Sequence, residues 1–384
     1  MTNSPDLPSW GLCVATYNRI DTLLLCVRFA LSQTRPPAEI VIVDASDDWA
    51  ENSRKIAALV SQAPAIRLTY LQAQRRSLTA QRNQAVAASG AEVLFMIDDD
   101  SLLHGDCAER IMAIYARDSA HCIAAVGAVH VEALPAAEPL RQSGRSESSV
   151  QPLPLADSVL PDRKVSGLGK HRGAFNQAFK ASGLFRFFWR DLLLMAAERR
   201  FVRYDNPPRH RHPEAFDAAA FPDAVPVEFI SGYAITVRRN VVAGEPFDDG
   251  LVAYAAAEDL DATYRFGRHG VIVLAPQARL HHMEAASGRI KRTKAATFGL
   301  LNIAYFVRKN SKRPVSDGAR VALLALRMLP AEIVKDLASG RWSMPQLRGV
   351  LLACFHLPRV LIRPPARLQP WYGDLQLAIL QRLT

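Results

Sequence analysis

Cysteines are few in this sequence and follow no pattern. Cys13, Cys26, Cys107, Cys122 and Cys354 are five among 384 residues, an odd number, scattered and never spaced C-x-x-C. That excludes a disulfide framework and a thiolate zinc site, and it fits a reducing compartment. Long apolar runs are also missing: Val321–Leu329, which Arg327 interrupts, and Gly349–Leu357 fall far short of the ~18–20 uncharged apolar residues of a membrane-spanning helix. Met1–Trp10 has no basic segment followed by an apolar stretch, so no signal peptide is expected. No internal repeat is visible. What remains is an ordinary globular mixture, 49% hydrophobic and 22% charged. The chain is long enough for one large domain or two modest ones.

The formal charge of +10 is unevenly spread, with 17 Lys and Arg against 4 Asp and Glu from Arg289 to Thr384. The rest of the chain is therefore slightly acidic. Basic residues mixed with short apolar runs suit an anionic membrane surface, an acidic ligand or nucleic acid. They are not interleaved with a recognisable nucleic-acid module, and nucleic acid is not expected as a partner.

Over roughly the first 130 residues strand-like and helix-like segments alternate, the pattern of a parallel sheet covered by helices. Strands are expected over Gly11–Thr16, Glu39–Asp44, Ile66–Leu71 and Glu92–Ile97. Helices are expected over Asp21–Ser32, Ala50–Ser61, Leu78–Ala88 and Asp106–Ala116, and an extended stretch over Cys122–Val131. From Glu132 to Pro226 the pattern dissolves into Pro, Ser and Arg, with a basic-aromatic run at Phe185–Arg190 and a helix over Leu184–Glu198. This reads as a long insertion. Regular structure resumes at Val227–Arg238, with a helix around Ala255–Gly267 and a strand at Val271–Ala275. Helices follow over Ala295–Arg308, Gly318–Ser339 with a kink at Pro330, and Gln346–Ile362. The expected division is an α/β domain over residues 1–290, with the insertion at 132–226, and a basic helical extension over 291–384.

Ligands of open α/β sheets bind beyond the carboxyl ends of the strands. Here those ends carry Thr16-Tyr17-Asn18, Asp44 and Asp98-Asp99-Asp100. Three adjacent carboxylates repel unless a cation or donor compensates, and a divalent ion with oxygen ligands does so. A solvated acidic loop or a helix N-cap would use the same residues. Glu258-Asp259, at a helix start, could hold a general base or be ordinary helix-terminal acid. His281-His282, just beyond the last strand, could complete a metal site or be packing histidines. Arg75-Arg76 and Arg82 could meet phosphate, or form a solvated basic face.

Taken in order, these segments resemble glycosyltransferase family 2. Cys13-Val14-Ala15-Thr16-Tyr17-Asn18-Arg19 is similar to that family's first-strand signature, and Val41-Ile42-Val43-Asp44-Ala45-Ser46-Asp47 to its second. Arg82-Asn83-Gln84-Ala85 resembles the Arg-Asn turn before the fourth strand, and Asp98-Asp99-Asp100 the DxD motif. Ser231-Gly232-Tyr233 with Val237-Arg238-Arg239 resembles the acceptor-side segment, and Glu258-Asp259 the ED pair. The resemblance covers roughly residues 10–130 and 225–310. The long insertion and the doubled histidine depart from it.

The resemblance implies an α/β fold of the nucleotide-diphospho-sugar transferase (GT-A, Rossmann-like) type, a mixed, mainly parallel sheet covered by helices with a helical C-terminal extension. It implies an inverting, divalent-metal-dependent hexosyltransferase using Mn2+ or Mg2+ and a UDP-, GDP- or dTDP-linked sugar donor. The acceptor would be a hydroxyl, on a lipid-linked glycan for instance, in polysaccharide or glycolipid assembly. By the same resemblance Asp44 meets the nucleobase, and Thr16, Tyr17, Asn18, Arg19, Ser46, Arg82, Asn83, Asp98 and Asp99 meet the donor. Asp98, Asp100 and either His281 or His282 bind the metal, Asp259 is the base, and Glu258 with Gly232 and Tyr233 contacts the acceptor. The basic helices carry a further expectation, a cytoplasmic protein peripheral on the inner face of the membrane. There Arg308, Lys309, Lys312 and Arg313 flank the apolar turns Leu300-Leu301 and Tyr305-Phe306, with Phe185–Leu194 as a second contact. A helical cap on the catalytic domain would use the same residues. Two readings compete: a nucleotidyltransferase, disfavoured because Thr16-Tyr17-Asn18-Arg19 has no glycine, and a catalytically silent membrane-surface protein with the same fold.

Overall fold

β-Branched and aliphatic residues in unbroken runs set the sheet. The computed structural model describes residues 8–136, 192–194, 197–204, 216–283 and 291–383. The run Phe185–Arg190 lies outside these residues, as do most of the 132–226 insertion and most of the helix expected over Leu184–Glu198. The chain divides into two units. One comprises Met1–Leu160, Pro208–Asp249 and Glu258–Gly288, the other Pro161–Pro207, Gly250–Ala257 and Arg289–Thr384.

In the first unit β1 (Trp10–Thr16), β2 (Glu39–Asp44), β3 (Arg67–Gln72) and β4 (Val93–Met96) pair in parallel in the order β3-β2-β1-β4. β2 and β4 are buried along their whole length, as strands covered on both faces must be. The crossovers are α1 (Ile20–Leu31), α2 (Trp49–Val60) and α3 (Leu78–Ala88). Beyond β4 the sheet becomes mixed. β8 (Ile235–Arg238) runs antiparallel to β4 and to β6 (Ile123–His130), while β9 (Val271–His282) lies parallel to β6. β5 (Ser101–Leu103) and β7 (Val225–Val227) both run antiparallel to β9. α4 (Cys107–Arg117), α5 (Arg239–Gly244) and α6 (Glu258–Phe266) complete the unit. This is the mixed, mainly parallel α/β architecture expected; the additions include β5, three residues long, β7, the short helix α5 and a β9 that continues past Ala275 to His282.

The mixed half of the sheet is tied by a buried ion pair. Arg238 Nη2 meets Asp118 Oδ2 at 2.8 Å while its Nε donates to the Ile123 carbonyl. Asp118 also accepts the amides of Cys122 and Ile123. Every polar atom of the pair that is named has a partner, which is the condition under which a buried ion pair is tolerated.

The second unit is helical, with α7 (Arg292–Asn310), α8 (Pro314–Ala338), α9 (Pro345–Ile362) and α10 (Leu368–Leu383). α10 is an addition to the helices expected from the sequence, and α8 runs on through Pro330. α7 is the core of the unit. Leu300, Leu301, Tyr305 and Phe306 are fully buried, so the apolar turns expected to meet a membrane are interior packing. Tyr305 stacks on Tyr372 at 4.5 Å, and the Tyr372 hydroxyl donates to Asn302 Oδ1. Asn302 in turn donates to the carbonyls of Tyr254 and Ala256. α9 crosses α7 at Gly349, where a Cβ would collide with the Thr293 carbonyl. Among the described residues no helix is long and apolar enough to cross a membrane.

Asp118→Ala strands the Arg238 guanidinium in the interior. It should cost about 3–5 kcal/mol of unfolding free energy in urea melts; a loss below about 1 kcal/mol would mean that the sheet does not depend on the pair.

Candidate active site

The carboxyl ends of β1 and β2 are held together by Gln81 on α3, whose buried Nε2 donates to the carbonyls of Thr16 and Val43, each at 2.9 Å. Its role had no signal in the sequence beyond its place next to Arg82. The chain then turns at Asn18, whose φ of 53° is a left-handed conformation that asparagine tolerates. The Asn18 amide donates to Ser46 Oγ. Asp44 is fully buried and accepts from the amide and hydroxyl of Ser46, from Asn52 Nδ2 at 3.0 Å and from Tyr70 Oη at 2.7 Å. Next to this group lies a cavity of about 280 Å³ lined by Ala45–Asp47 and Gln72–Arg76. Arg76 lies 3.7 Å over the ring of Tyr17, a cation–π contact.

The Asp triplet forms the turn between β4 and β5. β5 pairs Ser101 with His282 of β9, and that register brings a histidine from the far half of the sheet to the triplet. His282 Nε2 lies 3.1 Å from Asp100 Oδ1. Successive side chains of a strand face opposite ways, and His281 is accordingly engaged elsewhere, its Nδ1 3.0 Å from the Val131 carbonyl. The sequence left the two histidines undecided; His282 is the one that joins the triplet. Tyr233 stacks on its ring at 4.6 Å.

Asp99 faces β1, taking Thr16 Oγ1 at 2.7 Å and Arg19 Nη1 at 3.1 Å; Arg19 Nη1 is also 3.5 Å from Asp100. Burial pushes the Asp99 carboxyl up to about 6, with Asp100 adding to the rise and Arg19 and Thr16 opposing it. Ligand atoms of Asp98, Asp100 and His282 all lie within 4.8 Å of one another. Two carboxylates and an imidazole so grouped fit a divalent ion that accepts both oxygen and nitrogen ligands.

Arg82, on α3, sits between the triplet and α6. Its Nη1 meets Glu258 Oε1 at 2.5 Å, and its Nη2 meets Asp98 Oδ1 at 2.8 Å and the Gly232 carbonyl at 3.1 Å. Burial alone would favour loss of the guanidinium proton, but the charges of Glu258, Asp98 and Asp259 outweigh it and hold the group charged. On Glu258 burial wins despite Arg82. Helped by Asp259 and Asp98, it pushes the carboxyl up to about 8, and Glu258 Oε2 has no hydrogen-bond partner among the described residues. Asp259 accepts the Gly232 amide and its neighbour Leu260's amide, each at 2.9 Å. Burial raises its pKa, against the pull of those amides and of Arg82. Gly232 is confined by this arrangement: a Cβ there would lie 3.2 Å from Glu258 Oε1 and 3.3 Å from Arg82 Nη2.

Thr16, Arg19, Arg82, Asp98, Asp99, Asp100, Gly232, Tyr233, Glu258, Asp259 and His282 thus form one connected cluster. Tyr17, Asn18, Asp44 and Ser46 form a second group at the cavity. Asn83 belongs to neither group by contact. Its amide closes two hydrogen bonds with the backbone of Phe247, at 2.8 and 2.9 Å, so it anchors the Phe247 loop to α3.

A parallel half-sheet ending in an Asp triplet is thus joined to a mixed half-sheet that contributes an acidic helix start and a histidine. The model of glycosyl transferase family 2 matches residues 12–182, and over that stretch the chain is similar to this family. Among solved structures, the mannosyltransferase PcManGT from Pyrobaculum calidifontis, in complex with GDP-Man and Mn2+, is 12% identical over 91% of this chain and 87% of that one, with a TM-score of 0.48. GalNAc-T7 with UDP, GalNAc and Mn2+ is 13% identical over 79% of this chain and 49% of that one, with a TM-score of 0.47. S. aureus TarS is 13% identical over 83% of this chain and 43% of that one, with a TM-score of 0.42. Comparison with curated proteins finds no match.

The Glu258 carboxyl gives a pH test. Its raised pKa means that the native state keeps a proton which the unfolded chain releases, so native stability falls as pH climbs from 4.5 to about 8. Glu258→Gln should remove that decline. Thermal melts of both proteins across this range should show the variant gaining on the native protein towards pH 8, and parallel curves would contradict the assignment.

Proposed function

We propose that this enzyme is an inverting, divalent-metal-dependent transferase that moves a sugar from a UDP-, GDP- or dTDP-linked donor to a hydroxyl acceptor in polysaccharide or glycolipid assembly. The observation that carries the reading is the guanidinium of Arg82, which links a carboxylate of the metal cluster, Asp98, to Glu258 beside Asp259. A single buried group so placed supports a reading in which the donor diphosphate and the acceptor hydroxyl meet beside it. The catalytic work is assigned to residues 1–290, and residues 291–384 form a helical extension of a protein peripheral on the inner face of the cytoplasmic membrane.

Asp98, Asp100 and His282 are the residues that would hold the cation, which when bound neutralises the donor's phosphates and the charge that grows on them. Tyr17, Asn18, Asp44 and Ser46, beside the cavity under β2 and β3, are assigned to the nucleoside end of the donor. Arg19 and Arg82 are assigned to its phosphates, with Thr16 and Asp99 holding Arg19 in place. Asn83 positions α3 through Phe247. On the acceptor side, Gly232 and Tyr233 are assigned to contact the acceptor. Glu258 Oε2, buried and without a partner among the described residues, is suited to orient the attacking hydroxyl.

In the reaction, Asp259 takes the acceptor's hydroxyl proton. The freed oxygen bonds to the anomeric carbon from the face opposite the nucleotide, and the carbon–oxygen bond to the diphosphate breaks with its electron pair leaving on the diphosphate. The configuration is thereby inverted. A base works best when its pKa lies near the working pH, and burial moves Asp259 in that direction. The Gly232 amide fixes the carboxylate's orientation.

Asp259→Asn keeps the shape and removes the base. Transfer should fall by about 10²–10⁴-fold, while donor affinity measured by calorimetry stays within about threefold. Near-normal turnover in this variant would rule Asp259 out as the base.

A further inference from the structure

Among the described residues of the helical unit, none covers one face of α8. Val315, Leu323, Leu326, Ile333, Val334 and Leu337 are all exposed, Leu326 by 65%. At 3.6 residues per turn they fall, with Ala319, Ala322 and Pro330, within an arc of about 120°. The stripe runs the length of a 25-residue helix, about 37 Å at 1.5 Å per residue. α9 repeats the arrangement with Leu351, Phe355 and Ile362, the last two exposed by 62% and 76%, and Trp342, exposed by 80%, stands between the two helices. A stripe this long exceeds the scattered apolar residues of an ordinary surface.

The charges around it are of one sign. Arg320 and Arg327 border the α8 stripe, and Arg348 and Arg359 border that of α9; all four are exposed. The acids of α8 are all turned inward. Asp317, Glu332 and Asp336 are buried, and α9 has no acid. Asp317 accepts from Ser311 Oγ at 2.7 Å and Arg320 at 3.2 Å. Glu332 accepts from Arg200 and Lys335, and Asp336 caps α9 through the amides of Gln346 and Leu347. Apart from Ser316 in the first turn of α8, the exposed side chains of the two helices are apolar or cationic.

We propose that the outer faces of α8 and α9 dock on an anionic lipid bilayer, with the apolar side chains sunk to the acyl boundary and the arginines reaching up to the phosphates. An interfacial helix has this composition, aliphatic and aromatic residues on one face and arginine along its border. A second copy of the chain is a poorer occupant, because a symmetric contact sets each border of arginines against its own like. The docking face lies on α8 and α9 and not on α7, and it stands independently of the transferase reading.

The test uses the full chain and sedimentation with vesicles of phosphatidylcholine carrying about one-third phosphatidylglycerol, beside vesicles of phosphatidylcholine alone. The protein should co-sediment with the anionic vesicles, and about tenfold less with the neutral ones. Raising ionic strength from about 0.1 M to about 1 M, which cuts the Debye length from about 10 Å to about 3 Å, should release part of it. The triple variant Leu323→Gln/Leu326→Gln/Phe355→Gln changes exposed positions only, and its melting temperature should match that of the native chain. It should bind anionic vesicles on the order of a hundredfold more weakly. Failure of the native chain to sediment with anionic vesicles would overturn the proposal, as would equal binding of the native chain and a triple variant that melts normally. A concentration-dependent dimer in sedimentation velocity that the triple variant abolishes would overturn it in favour of a second copy.

Discussion

A guanidinium buried among carboxylates is tolerable only if each of its charges is answered, and Arg82 shows what that demands of a chain. Its hydrogen bonds go to Asp98 at the end of β4, to the Gly232 carbonyl and to Glu258 at the start of α6. The carboxylates in turn lie too close together to be charged without it; burial and mutual repulsion raise Glu258 to about 8 even with Arg82 in place. Removing the arginine would leave a cluster of acids, and removing the acids would leave a stranded cation, either at several kcal/mol. Three segments far apart in sequence are thereby held to one geometry. Gly232 is part of the same constraint, since any larger residue presses on both Glu258 and Arg82.

The same logic organises the rest of the site. Asp99 and Asp100 are answered by Arg19, and Asp100 also by His282. Asp44 is enclosed by Ser46, Asn52 and Tyr70. Asp98, Asp100 and His282 are left grouped closely enough for a cation to replace some of these internal partners. An enzyme that binds a polyanionic donor gains from such a site, because phosphates and cation together substitute for contacts already balanced in their absence.

Much of the fold was legible because its first half is written in continuous apolar runs that end in polar residues. Glu39–Asp44 can hardly be anything but a buried strand, and it is one. Leu78–Ala88 is a helix over the expected residues. β5 was not legible, since three residues have no period, and with it the pairing that selects His282 was hidden. β9 was cut short at Ala275 because Pro276 follows it and polar residues then interrupt the apolar run; neighbouring strands carry it on. The tie between Asn83 and Phe247, 164 residues away, was hidden for the same reason that any long-range contact is. The apolar turns of α7 were placed on the surface because helical spacing marks an apolar face without saying what covers it. Packing against α9 and α10 makes that face a core.

The central claim is that the Asp triplet, with His282, forms a cation-dependent site for a nucleoside diphosphate. Its most direct test is calorimetric titration of UDP, GDP and dTDP into the native chain and into Asp98→Ala/Asp100→Ala, each with and without Mn2+. The account predicts that one of the three nucleotides binds the native chain, that Mn2+ is required, and that the double variant loses the binding. Absence of binding by all three, or binding that is indifferent to Mn2+ and survives the double substitution, would contradict it.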